Sequence, residues 1–195
     1  MILLIDNYDS FSYNLVQFIG AICKGGEEFG RLEEIKVIRN DELSVDEIEQ
    51  IAPEYIILSP GPGRPSEAGI CEELVLRMLG KSKILGVCLG HQGICESLGG
   101  SVTYAKELMH GKQSEIYMKS DPIFDGIKDR CLVARYHSLA VERTSLPSKL
   151  EIIAETKDGE IMAVKHIEFD VYGLQFHPES VLTPDGKRIL ENFLK

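Results

Sequence analysis

The sequence predicts an α/β fold: an open, mostly parallel central sheet with helices on both faces and an added antiparallel or mixed section. Three observations point there. Apolar runs of four or five residues alternate with amphipathic stretches through the first hundred residues. The runs lack polar alternation, as strands buried on both faces do. Between about Ser101 and Gln175 the pattern changes to short Val- and Ile-containing runs with little helical periodicity.

Taken in order, Met1–Ile5 is an apolar run too short for a helix and followed at once by turn residues. Phe11, Leu15, Phe18 and Ile22 recur at helical spacing, Ser10 is placed to cap them, and Gly25-Gly26 ends the pattern. Ile35–Ile38 repeats the strand. Ser44–Ile51 repeats the helix, with Ser44 and Glu47 at capping-box spacing and Pro53 closing the unit. Tyr55–Leu58 leads into the stiff turn Ser59-Pro60-Gly61-Pro62-Gly63 and a helix through Glu72–Leu79, and Ile84–Val87 begins a fourth unit. Later strands are expected at Leu132–Tyr136, Ile152–Glu155, Ile161–Val164 and Val171–Leu174. A last helix over 185–194 puts Ile189, Leu190, Phe193 and Leu194 on one face. Right-handed crossovers between parallel strands gather the reactive loops at the strands' C-terminal ends.

At 195 residues, 44% apolar and 27% charged, the chain reads as one domain over 1–195 with a substantial core. A net charge of −10 opposes nucleic-acid binding, which needs clustered cations facing phosphates. No apolar run approaches the ~18 residues of a membrane span and no basic flank precedes the first one, so no membrane association and a cytoplasmic location are expected. Five cysteines without a CxxC pair suggest neither a disulfide framework nor a metal site. At least one thiol is then open to a chemical role.

The sharpest local feature is Gly86-Val87-Cys88-Leu89-Gly90-His91-Gln92, an apolar strand running into a Gly-x-Cys-x-Gly turn and then a helix, the layout of a nucleophile elbow. Small residues two positions either side keep backbone and helix from clashing, and a thiol at a helix N-terminus is favoured as thiolate. Read alone, Cys88 is equally a small buried residue in a tight turn. His177-Pro178-Glu179 ends another strand-like run; in an extended segment residues i and i+2 share a face, so the imidazole and carboxylate can point together. Glu179 would then fix the imidazole that exchanges a proton with Cys88, although an isolated surface histidine is the bland alternative. For an oxyanion, the amide of Leu89 and one from the Gly61-Pro62-Gly63 turn are natural donors, and that turn is otherwise a stiff connection. Cys95, seven residues past Cys88, is read as core packing. His91 and His137 are read as hydrogen-bonding loop residues rather than bases.

Pro60–Gly63, Gly86–Gln92 and His177–Glu179, in this order, resemble the class I (triad) glutamine amidotransferases, and the resemblance covers almost all of the chain. Asn7-Tyr8-Asp9-Ser10-Phe11 and Tyr136-His137-Ser138-Leu139 are similar to the anthranilate synthase and aminodeoxychorismate synthase branch. The resemblance implies a Cys88-His177-Glu179 triad and oxyanion donors at Gly61 and Leu89. It also implies a glutamine site formed by Gly61, Pro62, Gly63, Gln92, Ser138 and Leu139. No cofactor is expected in this chain. Glutamine would be hydrolysed through a Cys88 thioester and ammonia passed to a separate synthase subunit (component I) that binds chorismate, in a hetero-oligomer. Anthranilate synthase is the first expectation and aminodeoxychorismate synthase the alternative. His110-Gly111-Lys112 is either a polar loop or part of the surface that meets the synthase. Lys24–Gly30 occupies a place where the family is expected to have a shorter connection.

Two rivals stand beside this. An elbow cysteine and a distant histidine serve a stand-alone cysteine hydrolase or peptidase equally. Asp6 and Asp9 after the first strand resemble the acidic residues of a phosphoacceptor module, which leaves Cys88 and His177-Pro178-Glu179 unexplained.

Overall fold

The computed structural model describes residues 1–25 and 34–195. The first half alternates as predicted: β1 (Ile2–Asp6), α1 (Ser12–Gly25), β2 (Ile35–Arg39), α2 (Val45–Ile51), β3 (Tyr55–Leu58), α3 (Cys71–Met78), β4 (Lys83–Val87) and α4 (Leu89–Ser97). The second half is β5 (Val102–Tyr104), β6 (Lys112–Met118), β7 (Arg130–Arg135), β8 (Leu139–Val141), β9 (Leu150–Thr156), β10 (Ile161–His166), β11 (Val171–Leu174) and α5 (Gly186–Leu194).

Nine strands form one sheet in the order β2-β1-β3-β4-β11-β10-β9-β6-β7, while β5 and β8 pair separately. From β2 to β11 every pairing is parallel; from β11 to β7 every pairing is antiparallel. The added section is therefore a continuation of the same sheet. Period-2 side-chain direction sorts the strands between two cores. Ile2, Leu4, Tyr55, Ile57, Leu85 and Val87 pack with Leu15, Ile19 and Ile22 of α1 and Ile189, Leu190, Phe193 and Leu194 of α5. Leu3, Ile5, Ile56, Leu58 and Ile84 pack with α2, α3 and α4 on the opposite face. Each fully buried aliphatic side chain contributes roughly 1.5–3 kcal/mol relative to exposure. Among the described residues no helix is long and apolar enough to cross a membrane.

Three local expectations change. Ser10 does not cap α1, which begins at Ser12: Asp9 instead folds the turn that precedes the helix, its carboxylate accepting the Phe11 N–H at 2.6 Å and its carbonyl the Ser12 N–H at 3.3 Å. Asp6 accepts from Ser12 Oγ at 2.7 Å and pairs with Arg39 at 3.2 Å, so both acids of the phosphoacceptor reading are engaged in folding the β1–α1 loop. The unit after α2 is closed by Ala52 in a left-handed conformation (φ 49°), one residue before Pro53; the Ser44–Glu47 capping box is present as predicted. Of the Lys24–Gly30 stretch, Lys24 and Gly25 end α1 and the rest lies outside the described residues.

Parallel pairing has one consequence for function. The C-terminal ends of β1, β3, β4 and β11 lie side by side, in register from Ile2↔Tyr55 through Tyr55↔Lys83 to Ile84↔Val171. The segments that follow these four strands are Asn7–Phe11, Ser59–Gly63, Cys88 and Gln175–Glu179.

Candidate active site

Cys88 follows β4 and occupies the N-cap position of α4 with φ 52° and ψ −101°, a conformation that side chains other than glycine rarely adopt. Close packing enforces it. A Cβ on Gly86 would collide with the Gly90 carbonyl, and one on Gly90 with the Leu58 carbonyl of β3. The elbow's two glycines are thus required by backbone approach. Gly93, one turn on, meets nothing nearer than Pro65 at 3.9 Å. Gly90→Ala is expected to lose about 1–3 kcal/mol of stability through overpacking. Gly93→Ala is expected to gain about 0.5–1 kcal/mol from helix entropy. Urea denaturation of the two variants checks the contrast.

The strand next to β4 brings the imidazole. Cys88 donates its backbone N–H to Leu174 of β11 at 2.8 Å, and His177 lies three residues beyond Leu174. His177 and Glu179 do point together, with Nδ1 and Oε1 2.6 Å apart, but a turn makes the contact rather than strand alternation. The Ser180 N–H reaches the His177 carbonyl at 3.3 Å across Pro178, and Thr183 Oγ1 donates to the same carbonyl at 2.7 Å. Gly186, opening α5, lies so close to the Pro178 carbonyl that no Cβ would fit.

Cys88, His177 and Glu179 are all buried. Burial, the largest single influence on His177, opposes its charged form; the nearby Cys88 sulfur and the Glu179 carboxylate, 2.6 Å from Nδ1, outweigh it and raise the imidazole from 6.5 to about 10, while Nε2 is buried with no hydrogen-bond partner among the described residues. The site thus favours an imidazolium between a sulfur and a carboxylate, the arrangement that lets a thiol hand its proton to a base. His177 is also enclosed by rings: Tyr136 lies 5.0 Å and Phe11 5.6 Å away, both edge-on, and His110 stacks edge-on to Tyr136 at 6.1 Å.

The other sequence-predicted residues fall as follows. Gly61 is pressed against the elbow: a Cβ there would lie 2.6 Å from both Asn7 Cβ and Leu89 Cδ2. Leu89 opens α4, so its amide is among the first four that no intrahelical carbonyl can serve. Gln92 Nε2 donates to the Leu139 carbonyl at 2.9 Å and to Gln175 Oε1 at 3.1 Å. Ser138 is exposed and its carbonyl accepts from the Ala105 amide. Pro62 and Gly63 are exposed on the turn, and Gly63 has φ 79°. Cys95 is fully buried, its thiol pushed up by burial. His91 and His137 are buried and held below their ordinary range, at about 3 and about 4, chiefly by burial. Neither suits a base that must take up a proton near neutrality.

Sequence reasoning missed four contributors. Gln175 sits inside the Val171–Glu179 run, is fully buried, and points Nε2 at Cys88 Sγ, 3.7 Å away. Asn7 ties the Pro60–Gly63 turn down, its N–H bonding Ser59 Oγ and its Nδ2 the Ser59 carbonyl, both at 2.8 Å. Tyr136 and Phe11 were visible only as parts of motifs; their meeting at His177 needs β7 to return, which it does where the His177 N–H bonds the Ala134 carbonyl at 3.0 Å.

Known proteins resemble this chain over its whole length. The family described as glutamine amidotransferase class-I matches residues 3–195. The chain is 52% identical over 200 residues to anthranilate synthase component 2 of Pseudomonas aeruginosa, covering 100% of this chain and 95% of that one. It is 49% identical over 195 residues to aminodeoxychorismate/anthranilate synthase component 2 of Bacillus subtilis, covering 100% and 96%. To the bifunctional protein TrpGD of Thermotoga maritima it is 51% identical over 193 residues, covering 99% of this chain but spanning only 32% of that protein. A crystal structure from Thermoplasma acidophilum, described as one subunit of GMP synthase, superposes with a TM-score of 0.82 at 24% identity, covering 99% of this chain and 91% of that one, and so shares the fold. With elbow, histidine segment and full-length similarity together, this chain belongs to the class-I glutamine amidotransferase family.

Proposed function

We propose that this chain, as a single domain over 1–195, is the glutaminase subunit of anthranilate synthase, feeding ammonia to a chorismate-binding component I in the cytoplasm. The observation that carries the reading is the junction of β4 and β11, which sets the Cys88 elbow against the strand that leads to His177, whose Nδ1 is held 2.6 Å from Glu179.

In this mechanism His177 accepts the Cys88 proton and the sulfur attacks the carboxamide carbon of glutamine. The oxyanion is held by the Gly61 and Leu89 amides, and removing one such donor typically costs about 3 kcal/mol. Collapse breaks the C–N bond as His177 returns its proton to the nitrogen, which leaves as ammonia. The γ-glutamyl thioester is then hydrolysed by water, with His177 taking the water's proton, and glutamate departs with the thiol restored. Gly61, Pro62, Gly63, Gln92, Ser138 and Leu139 hold the glutamine.

A second reading, the glutaminase subunit of aminodeoxychorismate synthase, is supported by the Bacillus subtilis relative, whose name carries both activities. The chain copurified with its native partner and given glutamine and chorismate distinguishes them. Anthranilate is the expected product; aminodeoxychorismate selects the second reading; intact glutamine with no aromatic product removes both. Glutamine hydrolysis by the isolated chain is expected to be low and to rise on adding the partner.

A further inference from the structure

Arg135 and Glu160 are joined by a salt bridge and are 4% and 6% exposed. A buried pair of this kind is a weak source of stability, which directs attention to what it fixes. Glu160 is itself held by the Lys106 amide on Oε2 at 3.3 Å, and Arg135 Nη1 donates to Ser114 at 3.2 Å. Arg135 Nε then donates to His137 Nε2 at 3.1 Å. Glu160 Oε1 also lies 3.7 Å from this nitrogen, beyond hydrogen-bond reach, whereas the guanidinium at 3.1 Å does not give up its proton; Nε2 is therefore the acceptor and the hydrogen of a neutral His137 sits on Nδ1. Nδ1 lies 2.8 Å from the Leu139 carbonyl, the same oxygen that accepts from Gln92. Gln92 continues to Gln175 and Gln175 to Cys88.

We propose that Arg135, set in place by Glu160, is a positioning residue for glutamine binding: it selects the His137 tautomer that pins the Ser138–Leu139 backbone against Gln92 beside Cys88. The proposal rests on the glutaminase reading for what binds there. With the opposite tautomer, Nε2–H would face a guanidinium N–H and a bare Nδ1 would face a carbonyl, two repulsive contacts in a buried place. The Leu139 carbonyl would lose one of its two donors and the loop its register.

Nitrogen NMR of the full chain labelled at histidine tests the tautomer without any substitution. His137 is expected as neutral imidazole protonated at Nδ1; protonation at Nε2, or a charged ring at neutral pH, overturns the proposal. A second test uses Arg135→Met combined with Glu160→Leu, which removes both charges at similar volume and leaves neither orphaned. The folded variant is titrated with a γ-diazoketone analogue of glutamine that alkylates Cys88. Its half-saturating concentration is expected to rise about tenfold, as for one lost hydrogen bond. Alkylation by iodoacetamide, which has no glutamine shape to be recognised, should be unchanged. Equal slowing with both reagents indicates a purely structural role and overturns the proposal, as does an unchanged half-saturation. Failure of both reagents to modify Cys88 in the unsubstituted chain would instead remove the glutaminase reading, while the tautomer measurement stands by itself. Should the double variant not fold, the NMR result decides.

Discussion

Replacing Cys88 with alanine is expected to abolish glutamine-dependent product formation while the assembled complex continues to use free ammonia. The loss should be on the order of 10⁴-fold or more, because nucleophile, base and orienting carboxylate act as a unit and losing the nucleophile disables all three. The fold should survive. Position 88 already carries a Cβ at φ 52°, so alanine adds no backbone strain that cysteine does not already bear. Gly86 and Gly90, which make the turn possible, are untouched. Product formation measured with glutamine and with an ammonium salt checks both halves of the expectation; retained glutamine use in the variant removes Cys88 as nucleophile.

Glu179→Gln is expected to lower glutamine hydrolysis by about 10²–10⁴-fold while leaving the ring buried in place. The carboxylate only accepts, so it keeps the hydrogen on His177 Nδ1 and leaves Nε2 free to take a proton. An amide in its place can donate to Nδ1, which reverses the tautomer and weakens support for the imidazolium. A pH measurement checks the imidazole's surroundings separately from catalysis, since Cys88 and then Glu179 raise it against the effect of burial. His177 titrates at about 10 in the folded chain against 6.5 for a free imidazole. A raised pKa of this kind contributes stability that is fully present below about pH 6.5 and is lost as pH rises through about 10. Unfolding free energy should therefore fall with pH across that window, and the slope should flatten in Glu179→Gln. A slope identical in the two proteins would place the cause elsewhere.

Much of this was legible in the chain because the strands buried on both faces are unbroken apolar runs. Tyr55–Leu58 and Val171–Leu174 match β3 and β11 residue for residue, and the Ser44–Glu47 box begins α2 where its spacing says. What escaped has a common cause. β6, Lys-Gln-Ser-Glu-Ile-Tyr-Met, buries only Ile116 and reads as a polar connection until β7 and β9 flank it. Likewise the curl that returns Ala134 to His177 arises from long-range pairing, which no local pattern encodes.

The candidate site divides the same way. Cys88, His177 and Glu179 announce themselves by local motifs, and the strand order explains why segments 87 residues apart meet. The contact between His177 and Glu179 was anticipated for a different reason from the one that operates: Pro178 sits in a turn closed by Ser180 rather than in an extended segment. Gln175 and Arg135 were silent, and Asn7 was visible only as part of a motif, because a buried amide or guanidinium in a mixed sequence gives no sign of its partner. Their roles become visible only when the neighbours of each polar atom are known.

The central claim is that Cys88 carries the γ-glutamyl group. Mixing the chain and its synthase partner with glutamine, quenching in acid within the first turnovers and mapping peptides by mass spectrometry tests it most directly. A γ-glutamyl adduct on the peptide containing Cys88, absent when glutamine is omitted and lost in hydroxylamine, is the result expected. Glutamate released at the full rate with Cys88 unmodified, and released equally by Cys88→Ala, would contradict it.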